Sequence, residues 1–260
     1  MTANREQILT QAFVSIANSL VERFDVVDLL SRLTADCARL LDIASAGLLL
    51  ADERGELHVV AASSEGTRNL ELFQLQREQG PCLDCFHSGI PVSVSDLSQE
   101  TARWPQFTEA AIGAGFTSVH ALPMRLRDTI LGTLGLFGTH IGPLNDEDRD
   151  LGQALAHVAS IAIIADKAAT NKTVINEQLQ TALTSRIVLE QAKGLLAQLG
   201  NFDMEQAFIV LRRYARDHNL RLTDIAHALV ARELAPDQLI EHALSKEQLV
   251  SLLDESVVES

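Results

Sequence analysis

Aromatic side chains are in short supply: one Trp, one Tyr and nine Phe make up 4% of the 260 residues. The core must therefore be built mainly from aliphatic residues and alanine, and hydrophobic residues as a whole reach an ordinary 47%. Cysteine is almost as rare. Cys37, Cys82 and Cys85 are too few for a disulfide framework. No apolar run approaches the roughly 20 residues that a membrane-spanning helix needs; "VASIAIIA" at 158–165 is typical of the longest. The opening "MTANREQIL" has no basic segment followed by an apolar one, so no signal peptide is expected and the expected location is the cytoplasm. Basic charge is scarce too. Against 35 Asp+Glu stand 21 Lys+Arg, a net charge of −14 that by itself counts against a nucleic-acid partner. No glycine-rich phosphate loop, Ser/His/Asp set or paired acidic dyad occurs, so no enzymatic activity is expected. The chain opens with helical patterns rather than a strand followed by acids, so no phosphoacceptor domain is expected there.

The charge that is present is unevenly placed. Residues 1–184 carry 13 Lys+Arg against 23 Asp+Glu, and residues 233–260 carry one against seven. Between them, residues 185–232 carry seven against five, the one net-basic stretch. It begins "SRIVLEQAKGLLAQLG" and sets Gly194 beside Lys193 inside a continuous helical pattern. A glycine there costs roughly 1 kcal/mol relative to alanine. Either something approaches that backbone closely or the residue is an accident.

Periodicity orders the rest. Residues 5–24 and 26–42 read as helices, the second with Val26, Leu29, Leu30, Leu33, Cys37, Leu40 and Leu41 at three- and four-residue steps. "SAGLLLADERGELHVVAAS" is a hairpin, "RNLELFQLQREQG" a helix, "PVSVSDL" a short strand and "WPQFTEAAIGAG" a helix. "TSVHALPMRLRDTILGTLGLFG" gives two strands around Arg127 and Asp128. The order specifies an α+β unit over 1–145, an antiparallel sheet with flanking helices.

Residues 146–184 read as one long helix capped by Asn145. Leu151, Leu155, Val158, Ala162, Ala165, Ala169, Leu179 and Leu183 form a seam interrupted at Lys172 and Asn176, suited to a dimerising coiled coil or to a plain solvated connector. Residues 185–235 form a three-helix pattern. The first helix stops at Gly200-Asn201, Asp203 and Gln206 make a capping box for the second, Thr223 opens the third and Pro236 ends the unit. An acidic helical tail follows over 236–260.

Arg186 and Lys193 lie seven residues apart on the first helix of this unit; Arg212, Arg213 and Arg216 cluster on the second, and Arg221 precedes the third. Arginine forks suit phosphate oxygens and stack on unpaired bases. The same residues also fit a solvated face, Glu190 being placed to pair with both Arg186 and Lys193. The motifs over 185–230 resemble the ANTAR domain, the RNA-binding antitermination module of bacterial response regulators. The resemblance rests on Arg186, Gln191-Ala192-Lys193-Gly194, Ala207-Phe208, Leu211-Arg212 with Ala215, Asn219 with Leu222, and Ala226 with Leu229-Val230. It implies recognition of paired RNA stem-loops in a nascent transcript, with Arg186, Lys193, Gly194, Arg212, Arg213, Arg216, Asn219 and Arg221 as RNA-facing residues; the helical seam over 146–184 makes a homodimer the expected form. Duplex DNA is the less suited partner, because "TDIAHALVARE" offers a recognition helix only Arg232.

Residues 78–138 carry Gly80-Pro81-Cys82, Asp96-Leu97 and Trp104-Pro105. They resemble the GAF domains found ahead of ANTAR in actinobacterial proteins, which implies a small-molecule or redox sensor. Cys82, Cys85 and Trp104 are its ligand-sensing candidates. With His87, the two cysteines also invite a redox or metal reading, but no second ligand pair completes a zinc site. No metal or cofactor is therefore expected. The expectation is a regulator in which a signal at the sensor changes how paired C-terminal bundles hold RNA, promoting antitermination.

Overall fold

The computed structural model describes residues 25–165 and 172–244. The expected helix at 5–24, Ala169 of the seam and the tail beyond 244 lie outside the described residues. The chain divides into two compact units, 1–183 and 184–260.

In the first unit, five antiparallel strands lie in the order β2-β1-β5-β4-β3, with β1 Ser45–Ala51, β2 Leu57–Ala62, β3 Val92–Val94, β4 Ser118–Leu126 and β5 Thr129–Gly138. Every residue of β1 is buried, because helices cover both faces. That is why "SAGLLLA" reads as a continuous apolar run rather than an alternating one. On one face lie α1 (Val26–Leu40) and α5 (Asp146–Ala165). Their Leu30, Leu33, Cys37, Leu155 and Ala159 pack with Leu48, Leu50, Leu122, Leu134 and Leu136 of the sheet. On the other face lie α2 (Glu65–Arg77), α3 (Pro81–Ser88) and α4 (Pro105–Gly113). They bring Leu70, Cys82, Cys85, Phe107 and Ala111 against Leu49, Val119, Ala121 and Phe137.

Capping residues set the helix starts. Asp25 accepts from the amides of Val27 and Asp28, and Ser64 from Thr67. Asn145 caps α5 by accepting from Asp148 N at 2.8 Å, and the buried Asp148 carboxylate accepts in turn from Asp42 N at 3.0 Å. The start of α5 is thereby pinned to the loop that leaves α1.

The second unit contains the end of α6 (Lys172–Gly200), then α7 (Met204–Asp217) and α8 (Leu222–Val230). The helix expected over 146–184 falls on α5 and on the first part of α6. The capping box of Asp203 and Gln206 is present in both directions. Asn201 takes the left-handed turn that ends α6, while a Cβ on Gly200 would strike the Phe202 ring. Two expectations shift. The third helix starts one residue early, with Arg221 rather than a side-chain cap before it. Pro236 does not close the unit but sits at the start of a further helix, α9, over 236–244. Proline is favoured at a first helical position because its missing N–H has no partner to lose. Leu239 and Ala243 of α9 are buried.

Candidate functional site

On α6, Leu189, Ala192 and Leu196 form the buried stripe. Arg186 and Lys193 lie along it, 9% and 7% exposed. The Arg186 guanidinium stands 2.7 Å from Glu190 Oε1, and Lys193 Nζ donates to both Glu190 oxygens at 3.2 Å. Lys193 Nζ also lies 5.8 Å from the Phe208 ring centroid. This corrects the picture of two cations displayed to a ligand: both are largely enclosed by the protein and engaged with one carboxylate. The spacing that suggested a shared outer face describes a shared inner one.

Gly194 points elsewhere. A helix turns about 100° per residue, which takes it from the Lys193 side to a surface shared with exposed Ile187 and Leu195. A Cβ built on Gly194 meets nothing within 4 Å. Among the described residues, then, nothing approaches this glycine closely enough to require it.

The arginines of α7 are better placed for a partner. Ala207, Val210, Leu211 and Ala215 take the inward face. That leaves Arg212, Arg213 and Arg216 on the rest of the surface beside exposed Ile209. Arg216 has a side chain 74% exposed and only a 3.9 Å approach to Asp217. Arg213 and Arg221 are partly exposed and have no ion pair among the described residues. Asn219 is exposed but has a structural duty: its φ of 54° makes it the left-handed residue after α7.

The sequence reading missed an aromatic cluster beside these arginines. Tyr214 stacks on His218 with ring centroids 4.0 Å apart, His242 of α9 meets Tyr214 edge-on at 5.4 Å, and His242 Nε2 lies 3.0 Å from Asp217 Oδ2. Tyr214 and His218 show the four-residue spacing of helix neighbours. His242 comes 24 residues after His218, beyond any local signal.

In the sheet unit, all three ligand-sensing candidates are buried. Trp104 packs edge-on against Phe107 under the Arg103 guanidinium. Burial pushes the Cys85 thiol up to about 12 and Cys82 well above the ordinary thiol range, the Glu71 carboxyl adding to the latter. Thiols kept protonated are poor nucleophiles and poor metal ligands. Among the described residues, the group of three that could converge on a metal ion is Asp52, Glu56 and His58 on the β1–β2 hairpin, not the cysteines.

Beside Cys82 stands a group that no local pattern marks. Glu71 is fully buried; its carboxyl accepts from Gln74 Nε2 at 2.7 Å and lies 3.6 Å from Cys82 Sγ. It fits because Gly47 and Gly135, paired across β1 and β5, lack side chains. A Cβ on either would lie 2.6–2.7 Å from Glu71 Oε1. Burial without a cation pushes this carboxyl up to about 8.

Comparison with known proteins divides the chain in the same way. The GAF domain profile matches residues 25–164 and the ANTAR domain profile residues 177–230. Solved structures similar to the chain include the GAF domain of a phosphoenolpyruvate-protein phosphotransferase from Coxiella burnetii, at 15% identity and TM-score 0.49, covering 62% of this chain and 93% of that one. The corresponding domain from Acinetobacter gives 13% identity and TM-score 0.48 over 63% and 97%. A free methionine-R-sulfoxide reductase from Neisseria meningitidis in complex with its substrate gives 18% and 0.47 over 63% and 90%. No curated protein matches the chain. The chain belongs to the GAF domain family and joins that sensor domain to a C-terminal ANTAR domain, the arrangement of a GAF-plus-ANTAR regulator.

Proposed function

We propose that the protein is a signal-responsive, RNA-binding antitermination regulator acting as a homodimer. A signal at the sensor unit alters the geometry of the helices that follow it, and two ANTAR bundles hold two stem-loops of a nascent transcript, disfavouring a terminator. The observation that carries the reading is the ANTAR match over 177–230, in a bundle whose α7 arginines face outward and whose Gly194 stands open. Arg213, Arg216 and Arg221 are the cations best placed for phosphates and loop bases, with Arg212 beside them. Arg186 and Lys193 act in this reading by holding Glu190. A duplex-DNA reader would need a basic helix facing the major groove. α8 buries Leu222, Ile225, Ala226 and Leu229 and exposes Asp224 and His227, which supports RNA over DNA.

The test is fluorescence anisotropy of a labelled two-stem-loop RNA, with duplex DNA as control, using the parent and Arg213→Ala/Arg216→Ala. The expected result is a preference for RNA that the double variant loses while keeping its helical circular dichroism. Equal binding of both nucleic acids, or RNA binding untouched by the substitutions, overturns the assignment.

A further inference from the structure

At one end of β4 the covering layer changes. On the α1/α5 face, Met124 and Leu122 join the apolar core, but the next residues on that face are His120 and Ser118. Here two loops, at 42–44 and 139–145, line an open cavity of about 290 Å³. Ser118 and His120 are buried at its base, Ile43, Ile141 and Leu144 add apolar surface, and Asp42 lies exposed on its lining.

His120 is only 4% exposed. Its Nδ1 lies 2.6 Å from the hydroxyl of Ser93, its register partner on β3, and its Nε2 has no hydrogen-bond partner among the described residues. Desolvation lowers the imidazole's affinity for a proton, so the ring is neutral. The Ser93 hydroxyl can donate to Nδ1 or accept from it, which leaves Nε2 able to take either role. Ser118 Oγ donates to the carbonyl of His140 at 2.9 Å and keeps lone pairs with which to accept.

Charge narrows the occupant. The lining holds no Lys or Arg, and Asp42 is joined nearby by the exposed Asp146 and Glu147 at the start of α5. An anion finds no counter-charge. A cation would meet on the lining only the exposed Asp42 carboxylate, whose attraction solvent screens.

We propose that this cavity is a binding site for a small uncharged organic molecule, an alcohol or an amide. Its polar head bonds to His120 Nε2 and Ser118 Oγ, and its apolar body lies along Ile43, Ile141 and Leu144. Asn145, the cap of α5, is also on the lining, so an occupant touches the point where the sensor unit passes into its exit helix. The site lies on the opposite face of the sheet from Cys82, Trp104 and Glu71.

The experiment follows histidine ring signals by NMR in the full chain during titration with three probes of one shape: benzyl alcohol, benzoate and benzylamine. The His120 signal is identified by its displacement in Ser93→Ala. Benzyl alcohol is expected to give a saturable shift of that signal, with no saturation by either charged probe over the same range. Ala44→Leu, a change at an exposed lining position, is expected to weaken benzyl alcohol at least about tenfold by filling the cavity. His120→Phe removes the head's partner and, followed on the ring signal of His140 on the same lining, should weaken it about fivefold, the effect of one neutral hydrogen bond. Absence of saturation by benzyl alcohol, tighter binding of a charged probe, or unchanged affinity in Ala44→Leu overturns the proposal.

Discussion

At the scale of single residues, Glu71 makes the sharpest claim. Its carboxyl rises from an ordinary 4.5 to about 8 because the folded unit encloses it without a cation. The folded protein therefore binds this proton more tightly than the unfolded chain, and the associated stability is fully present below pH 4.5. It is lost as pH rises from there to about 8, at about 1.4 kcal/mol per pH unit for this group. Glu71→Gln keeps an oxygen for Gln74 and removes the proton. The variant should match the parent in urea denaturation near pH 5 and exceed it increasingly toward pH 8. Parallel midpoints across that range would place the proton linkage elsewhere. Nothing in "RNLELFQLQR" marked Glu71 as buried, since its environment is supplied by Gly47 and Gly135 from distant strands. Arg186 and Lys193 show the opposite failure. Their seven-residue spacing correctly put them on one face, but only the packed bundle reveals that the face points inward.

At the scale of elements, the local codes were readable and the distant ones were not. The Asp203/Gln206 box, the Asn145 cap and the Asn201 stop all act within a few residues, and each was visible as a pattern. α3 was not, because "PCLDCFHS" spans only eight residues and its role depends on burying Cys82 and Cys85 against another layer. α9 was misjudged for a related reason. Pro236 signals a boundary locally, yet the helix it begins buries Leu239 and Ala243 and brings His242 to Asp217. Leu239→Ala should therefore destabilise the second unit by about 2–4 kcal/mol, the usual loss for a buried leucine. Thermal unfolding followed by circular dichroism checks this, and no change would mean that α9 is not part of the cooperative bundle. Gly194 gives the cleanest separation of folding from function. Because its Cβ position is open, Gly194→Ala should stabilise α6 by up to about 1 kcal/mol. If an RNA approaches this backbone, the same variant should bind the two-stem-loop RNA more weakly. A more stable variant with unchanged RNA affinity would remove Gly194 from the interface.

At the scale of the whole molecule, the charge distribution constrains how RNA can be held. With −14 overall and only 185–232 net basic, one bundle has few cations to spend on phosphates. Taking Arg213, Arg216 and Arg221 as the contacts, each phosphate neutralised adds about 0.7–0.9 to the salt slope, so a single stem-loop should show a log–log slope of about −2 to −3. An acidic protein should bind such a target weakly, and increasingly so as salt rises. In the proposed homodimer, two bundles change the arithmetic. The second stem-loop binds at a high effective concentration and releases its own counterions, so a two-stem-loop RNA should show about twice the slope and a much higher affinity at low salt. Titrations from 50 to 200 mM salt on one-stem and two-stem RNAs measure both quantities. Equal slopes would mean that only one bundle engages at a time, and the proposed dimer would then have to serve the sensor rather than the grip on RNA.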